Sequence, residues 1–194
     1  MNITNQFLLI SALIFIGIIL ARIRSRKTYK TLTNQAEKRT GKITGNGFFG
    51  HMEMQLPMQD KTVVIRLGPG SGNTPPRTSA QVRIEDSIIP KMRITHNNFW
   101  SELEGKWKNN HILTNNEEFD NKFFITGEDS YRISKLLTDD LKTKALDPFF
   151  DSMDIWFESD ELCIMIGFIP KNEEEFDIFL DTVELFLRNF LHQR

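Results

Sequence analysis

Cysteine is nearly absent from this chain of 194 residues: Cys163 stands alone. No intramolecular disulfide can brace the fold, which suits a reducing compartment. The four histidines, His51, His96, His111 and His192, form no His-x-x-x-His pair and have no Cys-x-x-Cys companion, so the usual zinc spacings are missing. The chain has no Gly-x-Ser-x-Gly elbow, and no dinucleotide fingerprint follows a strand. Catalytic, cofactor-binding and metal-binding residues are therefore left unassigned, and no cofactor is expected. Acid pairs such as Asp139 with Asp140 and Asp151 with Asp154 are of the type that holds a divalent cation or shares a proton. With 26 acidic residues in the chain, such neighbours arise readily without function.

Acidic residues are scarce at the front. Eight of the 24 basic residues but one of the 26 acidic ones, Glu37, lie at or before Lys42, so the front carries about +7 and the remainder about −9. A nucleic-acid partner requires a basic face on the folded part, and the folded part is acidic. The first 21 residues lack charged side chains altogether, and FLLISALIFIGIILA (7–21) has one hydroxyl, Ser11. Fifteen helical residues rise about 22 Å, short of the ~30 Å hydrocarbon core, but extension over 3–23 reaches about 31 Å. The reading from sequence is a single transmembrane anchor over 1–23, uncleaved because basic residues follow the apolar run rather than precede it. The positive-inside rule then places the N-terminus outside and the rest on the cytoplasmic face of an inner membrane. Arg22, Arg24, Arg26, Lys27 and Lys30 are candidate lipid-facing cations, each able to attract anionic lipid headgroups. Residues 24–44 read as a basic juxtamembrane linker, and 45–194 as a cytoplasmic domain.

Within the domain the chain alternates as strands do. HMEMQLPM sets Met52, Met54 and Leu56 against His51, Glu53 and Gln55; TVVIRL, SAQVRI and KMRITH repeat the pattern. Between the second and third runs lies GPGSGNTPPR (68–77), a long hairpin loop. It lacks the lysine and the following helix of a phosphate-binding P-loop, yet Gly70, Gly72 and Arg77 form a candidate ligand loop. Trp100 and Trp107 read as packing residues. In EEFDNKFFITGEDS, a strand reading turns Phe119, Phe123 and Ile125 inward and lets Asp120 pair with Lys122 on the outer side. Gly127 breaks it, and Asp129 or Ser130 caps a helix carrying Ile133, Leu136, Leu137 and Leu141. After Pro148 a hairpin turns at Ser159 and Asp160. Asn172 and Glu175 then open a long helix with Phe176, Phe179, Leu180, Val183, Phe186, Leu187, Phe190 and Leu191 on one side. Ile178 and Leu185 flank that stripe and leave apolar surface for a partner.

The order of N-terminal apolar helix, basic segment, Val-x-Ile-Arg strand, Gly-rich loop and Phe-Asp-x-x-Phe strand resembles a loose group of uncharacterised, membrane-anchored bacterial proteins. The shared residues are Phe119, Asp120, Phe123, Gly127, Asp129, Leu136 and Leu137. The resemblance implies an anchor, a bacterial origin and the fold, and carries no catalytic residue across. The expected architecture is α+β: one transmembrane helix, then an antiparallel sheet packed by two helices, the long C-terminal one last. A barrel closed by the terminal helix, as in pleckstrin-homology-like folds, and an open sheet both fit this order. The expected function is a non-enzymatic module that binds an unidentified protein partner. A ligand or lipid sensor using the 68–77 loop is the alternative, and a hydrolase with an unrecognised site the third reading.

Overall fold

Alternating apolar residues build the centre of the molecule. The computed structural model describes residues 3–45, 52–68, 70, 74–85, 89–97 and 111–192. Eight strands, β1 (Lys42–Thr44), β2 (Met52–Met58), β3 (Lys61–Gly68), β4 (Arg77–Arg83), β5 (Met92–His96), β6 (Phe123–Gly127), β7 (Met153–Glu158) and β8 (Glu161–Ile166), form one antiparallel sheet in the order β1-β2-β3-β4-β8-β7-β5-β6. Among the described residues β1 and β6 do not pair, so the sheet is open. The hairpins β2–β3 and β7–β8 each turn on two residues with positive φ: Gln59 and Asp60, and Ser159 and Asp160. Such turns match the right-handed twist of the flanking strands.

One face of the sheet is the core. Met54, Leu56, Val63, Ile65, Ala80, Val82, Ile94, Ile155, Leu162 and Ile164 point there, every second residue along each strand. The helices α1 (Ile3–Lys38), α2 (Glu117–Lys122), α3 (Ser130–Leu136), α4 (Asp139–Leu146) and α5 (Glu173–Leu191) bury apolar residues in the same core. α5 begins as its sequence predicts: the Asn172 side chain accepts from the Glu175 amide at 2.9 Å, and Glu175 accepts from the Lys171 amide at 2.7 Å. Its seven expected residues from Phe176 to Phe190 are buried. Ile178 and Leu185, the expected apolar flank, are partly buried and pack against the same core.

Four expectations are corrected. The expected transmembrane helix is overturned, because among the described residues no helix is long and apolar enough to cross a membrane. With it fall the signal anchor and the single-pass placement in an inner membrane. The physical reason is length and continuity: the apolar run 7–21 is shorter than a hydrocarbon core, and the helix containing it continues unbroken for 36 residues through the basic stretch and onto the domain. Second, residues 24–44 are not a linker, since they supply the second half of α1 and then β1. Third, the domain is packed by more than two helices. Fourth, residues 117–122 are helical, not extended: Asn116 caps α2 by accepting from the Phe119 amide at 3.0 Å, and the strand starts at Phe123.

Candidate functional site

The feature that sets this molecule apart is an apolar helix mounted on a polar clasp. The last turns of α1 are folded onto the domain by Leu32 and Ala36, which join the core, and by Thr31 and Gln35, which are buried beside them. Spacing of three to four residues places these four on one side of the helix. Around them the seam is charged. Lys38 donates to both carboxylate oxygens of Asp177 at 3.0 and 2.9 Å, and Arg39 bridges Asp177 at 3.1 Å and Asp181 at 2.8 Å. Gln35 donates to the Glu173 carbonyl at 3.2 Å, and Asn34 to the Glu173 carboxylate at 2.6 Å. Asp177 and Asp181 stand one helical turn apart on α5, so one guanidinium reaches both.

The charges respond to one another. Burial disfavours the Arg39 cation, but Asp181 and Asp177 outweigh it and raise its pKa above the ordinary value. Burial also lifts the Asp177 carboxyl, yet Lys38, Arg39 and Gln35 prevail and hold it below the usual carboxylate range. Two buried polar atoms in this seam, Gln35 Oε1 and Arg39 Nε, have no hydrogen-bond partner.

Beyond the clasp the helix stops cleanly. The Gly41 amide donates to the Ala36 carbonyl at 2.7 Å and the Thr40 amide to Glu37 at 3.3 Å, a Schellman ending with Thr40 left-handed at φ 55°. Gly41 is required by closeness: a Cβ there would lie 2.6 Å from the Gln55 carbonyl oxygen and would run into the Leu56 side chain. The helix therefore leaves the domain from a fixed base. Toward its other end Ile10, Leu13, Phe15, Ile16 and Ile19 are 42–66% exposed, a concentration of bare apolar surface unlike any other described part of the chain. Arg26, Lys27 and Lys30 are exposed between this apolar end and the clasp. The side chains of Arg22 and Arg24 lie outside the described residues.

The other candidates are dispersed. In the 68–77 loop, Gly72 lies outside the described residues. Gly70 has φ +78° and sits against the Thr74 carbonyl and the backbone of Pro75 and Pro76. Two prolines without N–H groups and an inward carbonyl make a poor cradle for an anion. Arg77 is exposed at the start of β4, beside Gly68. Trp100 and Trp107 lie outside the described residues. Among the described residues no group of three His, Cys, Asp or Glu side chains is placed to hold a metal ion.

The acids of the central segment have structural partners. Asp120 does not pair with Lys122 but accepts from the Thr114 amide and hydroxyl at 3.0 and 2.8 Å. Lys122 donates to the Leu146 carbonyl at the end of α4 and pairs with Asp151 at 2.8 Å, which holds the Asp151 carboxyl below its ordinary range. Asp139 pairs with Lys142 at 2.7 Å. Asp129 caps α3 through the Arg132 amide at 3.0 Å. On the outer sheet face, burial raises the Asp154 carboxyl against the pull of Arg93 and His96. Burial also pushes the Cys163 thiol up to about 12, which leaves it an inert thiol.

Sequence reasoning missed the clasp. Its signal was faint: Thr31, Leu32, Gln35 and Ala36 recur at helical spacing, but Leu32 and Ala36 are the only apolar residues between Tyr29 and Ile43. The paired acids that answer it lie about 140 residues away.

No protein-family model matches the chain, and no curated protein matches it. Among solved structures, the chain resembles the crystal structure of the mycobacterial trehalose monomycolate transport factor A, TtfA, with a TM-score of 0.52 at 10% identity, over 86% of this chain and 96% of that one. At that identity the likeness is one of fold.

Proposed function

We propose that this chain is a non-enzymatic factor in lipid handling, which binds lipid through the apolar half of α1 while the α+β domain holds that helix in place. One observation carries the reading: Ile10, Leu13, Phe15, Ile16 and Ile19 are exposed on a helix whose base is pinned by apolar contacts and a shared ion-pair cluster. Bare apolar area of this kind is stabilised by transfer to an apolar phase, at about 25 cal/mol per Å². The architecture supports the reading, since the solved structure it resembles is that of a transport factor for a lipid, trehalose monomycolate. Asp129, Asp139, Asp151, Lys122 and Lys142 of the domain serve a cap and ion pairs, which favours binding over catalysis at these positions.

The test is flotation of the full chain with phosphatidylcholine vesicles. Wild type floats with the lipid, and Phe15→Glu with Ile19→Glu reduces binding roughly tenfold or more while the circular dichroism of the domain is unchanged. Failure of wild-type protein to bind any lipid would remove the proposal.

A further inference from the structure

The basic residues after the apolar end are arranged as well as present. An α-helix turns about 100° per residue, so with Arg26 at zero, Phe15, Ile19 and Ile16 fall at about −20°, 20° and 80°, and Lys30 and Lys27 at about 40° and 100°. These six exposed residues therefore share one side of α1. The buried residues Thr31, Gln35, Leu32 and Ala36 fall at about 140°, 180°, 240° and 280°. Leu13 and Ile10, also exposed, fall at about 140° and 200°, so the bare apolar residues surround the helix end. The cations are centred nearly opposite the buried set, so their side of the helix is turned away from the domain.

Along the axis the two chemistries follow in order. Ile10 to Ile19 spans about 14 Å, close to half of a ~30 Å hydrocarbon core, which is the depth of one leaflet. Arg26 stands about 10 Å beyond Ile19, at the level of head groups when the apolar end is among acyl chains. The helix has no carboxylate before Glu37 to neutralise these cations.

We infer that α1 docks on an anionic lipid surface, its apolar end entering one leaflet and Arg26, Lys27 and Lys30 binding the negative head groups. The inference rests on the lipid reading above and specifies its ligand: a lipid assembly with net negative surface charge. Charge complementarity selects this occupant over a second copy of the chain, because pairing two such helices in parallel would set Arg26, Lys27 and Lys30 against their own copies.

The experiment is flotation of the full chain with vesicles of phosphatidylcholine alone and of phosphatidylcholine mixed with phosphatidylglycerol, at low and high salt. Each cation contributes roughly fivefold near an anionic surface, so wild type should prefer the mixed vesicles by roughly a hundredfold at low salt and lose most of that preference at high salt. Arg26→Gln, Lys27→Gln and Lys30→Gln together should bring mixed-vesicle binding down to the level on phosphatidylcholine. These residues are exposed and away from the core, and circular dichroism checks that the variant is folded. Equal binding of wild type to both vesicles, unaffected by the triple variant, would overturn the head-group inference and leave the lipid reading standing. Binding to neither would overturn both. Sedimentation velocity showing an α1-dependent dimer that does not bind vesicles would assign the face to a second copy and likewise overturn both.

Discussion

Single side chains divide into those whose fate is settled by neighbours in sequence and those settled by distant partners. Asn116, Asp129 and Asn172 each cap the helix that follows them, a choice made within four residues. Asp120 and Lys122 are the opposite case. Two residues apart, they are partners on an extended chain but not on a helix, and in α2 they turn to Thr114 and to the end of α4. Cys163 gives a direct test at this scale. With burial lifting its thiol to about 12, a disulfide-exchange reagent should leave the native protein unlabelled at neutral pH and modify one equivalent only when denaturant exposes the residue. Rapid labelling of native protein would show that the thiol is reachable and the strand β8 less tightly covered.

At the scale of elements, α1 and α5 matter most, because their seam decides how the apolar helix is presented. Arg39 is the shared member, 19% exposed and bonded to two carboxylates. Arg39→Ala should lower stability by roughly 1 kcal/mol, measured by urea unfolding, since it removes a partly exposed ion-pair network and leaves Asp177 and Asp181 close together. The seam also carries a pH dependence of definite sign. The folded-state pKa of Asp177 is depressed, so its contribution is fully present above the ordinary carboxylate value and is lost as pH falls through the lowered one. Lys38, Arg39, Glu173 and Asp181 face it. Amide protection over residues 31–39, exchange measured against the intrinsic rate at each pH, should therefore fall below about pH 4 before that of the sheet does. Equal protection of this segment at neutral and acid pH would show that Leu32 and Ala36 alone hold the helix.

At the scale of the whole molecule, the sheet separates two faces of different character. One is the core shared by the five described α-helices; the other carries Glu53, Arg66, Gln81, Trp156 and Arg93, tied across strands by the hydrogen bonds of Arg66 with Glu53 and Gln81. Strand β8 lies between β4 and β7, so the C-terminal hairpin joins the first meander to the β5–β6 pair and makes one sheet of them. Stability should thus depend on the base of α1 and not on its free end. Removing residues 1–20 should change the thermal midpoint by less than about 2 °C, whereas removing 1–39 should lower it by roughly 5 °C or more through loss of Leu32, Ala36 and the clasp. A large loss from the shorter deletion would mean that the apolar end packs on the domain.

What the sequence by itself determined was local. The alternation in β2 to β5, the two-residue turn at Ser159–Asp160, the capped and striped α5, and the unequal charge of front and remainder are all written within windows of a few residues. Periodicity and cap chemistry act over such windows, which is why they were legible. The tertiary structure decided three matters. Residues 24–44 became helix and strand because Asp177, Asp181 and the core supply partners that a polar segment lacks on its own. Residues 117–122 became helical, with Phe119 buried, as Thr114 and the end of α4 take up Asp120 and Lys122. The apolar N-terminal run became part of a longer helix, its cations facing away from the domain, because rotation about a helix axis is set by which side is buried. Burial is a property of the assembled molecule, and no local window contains it.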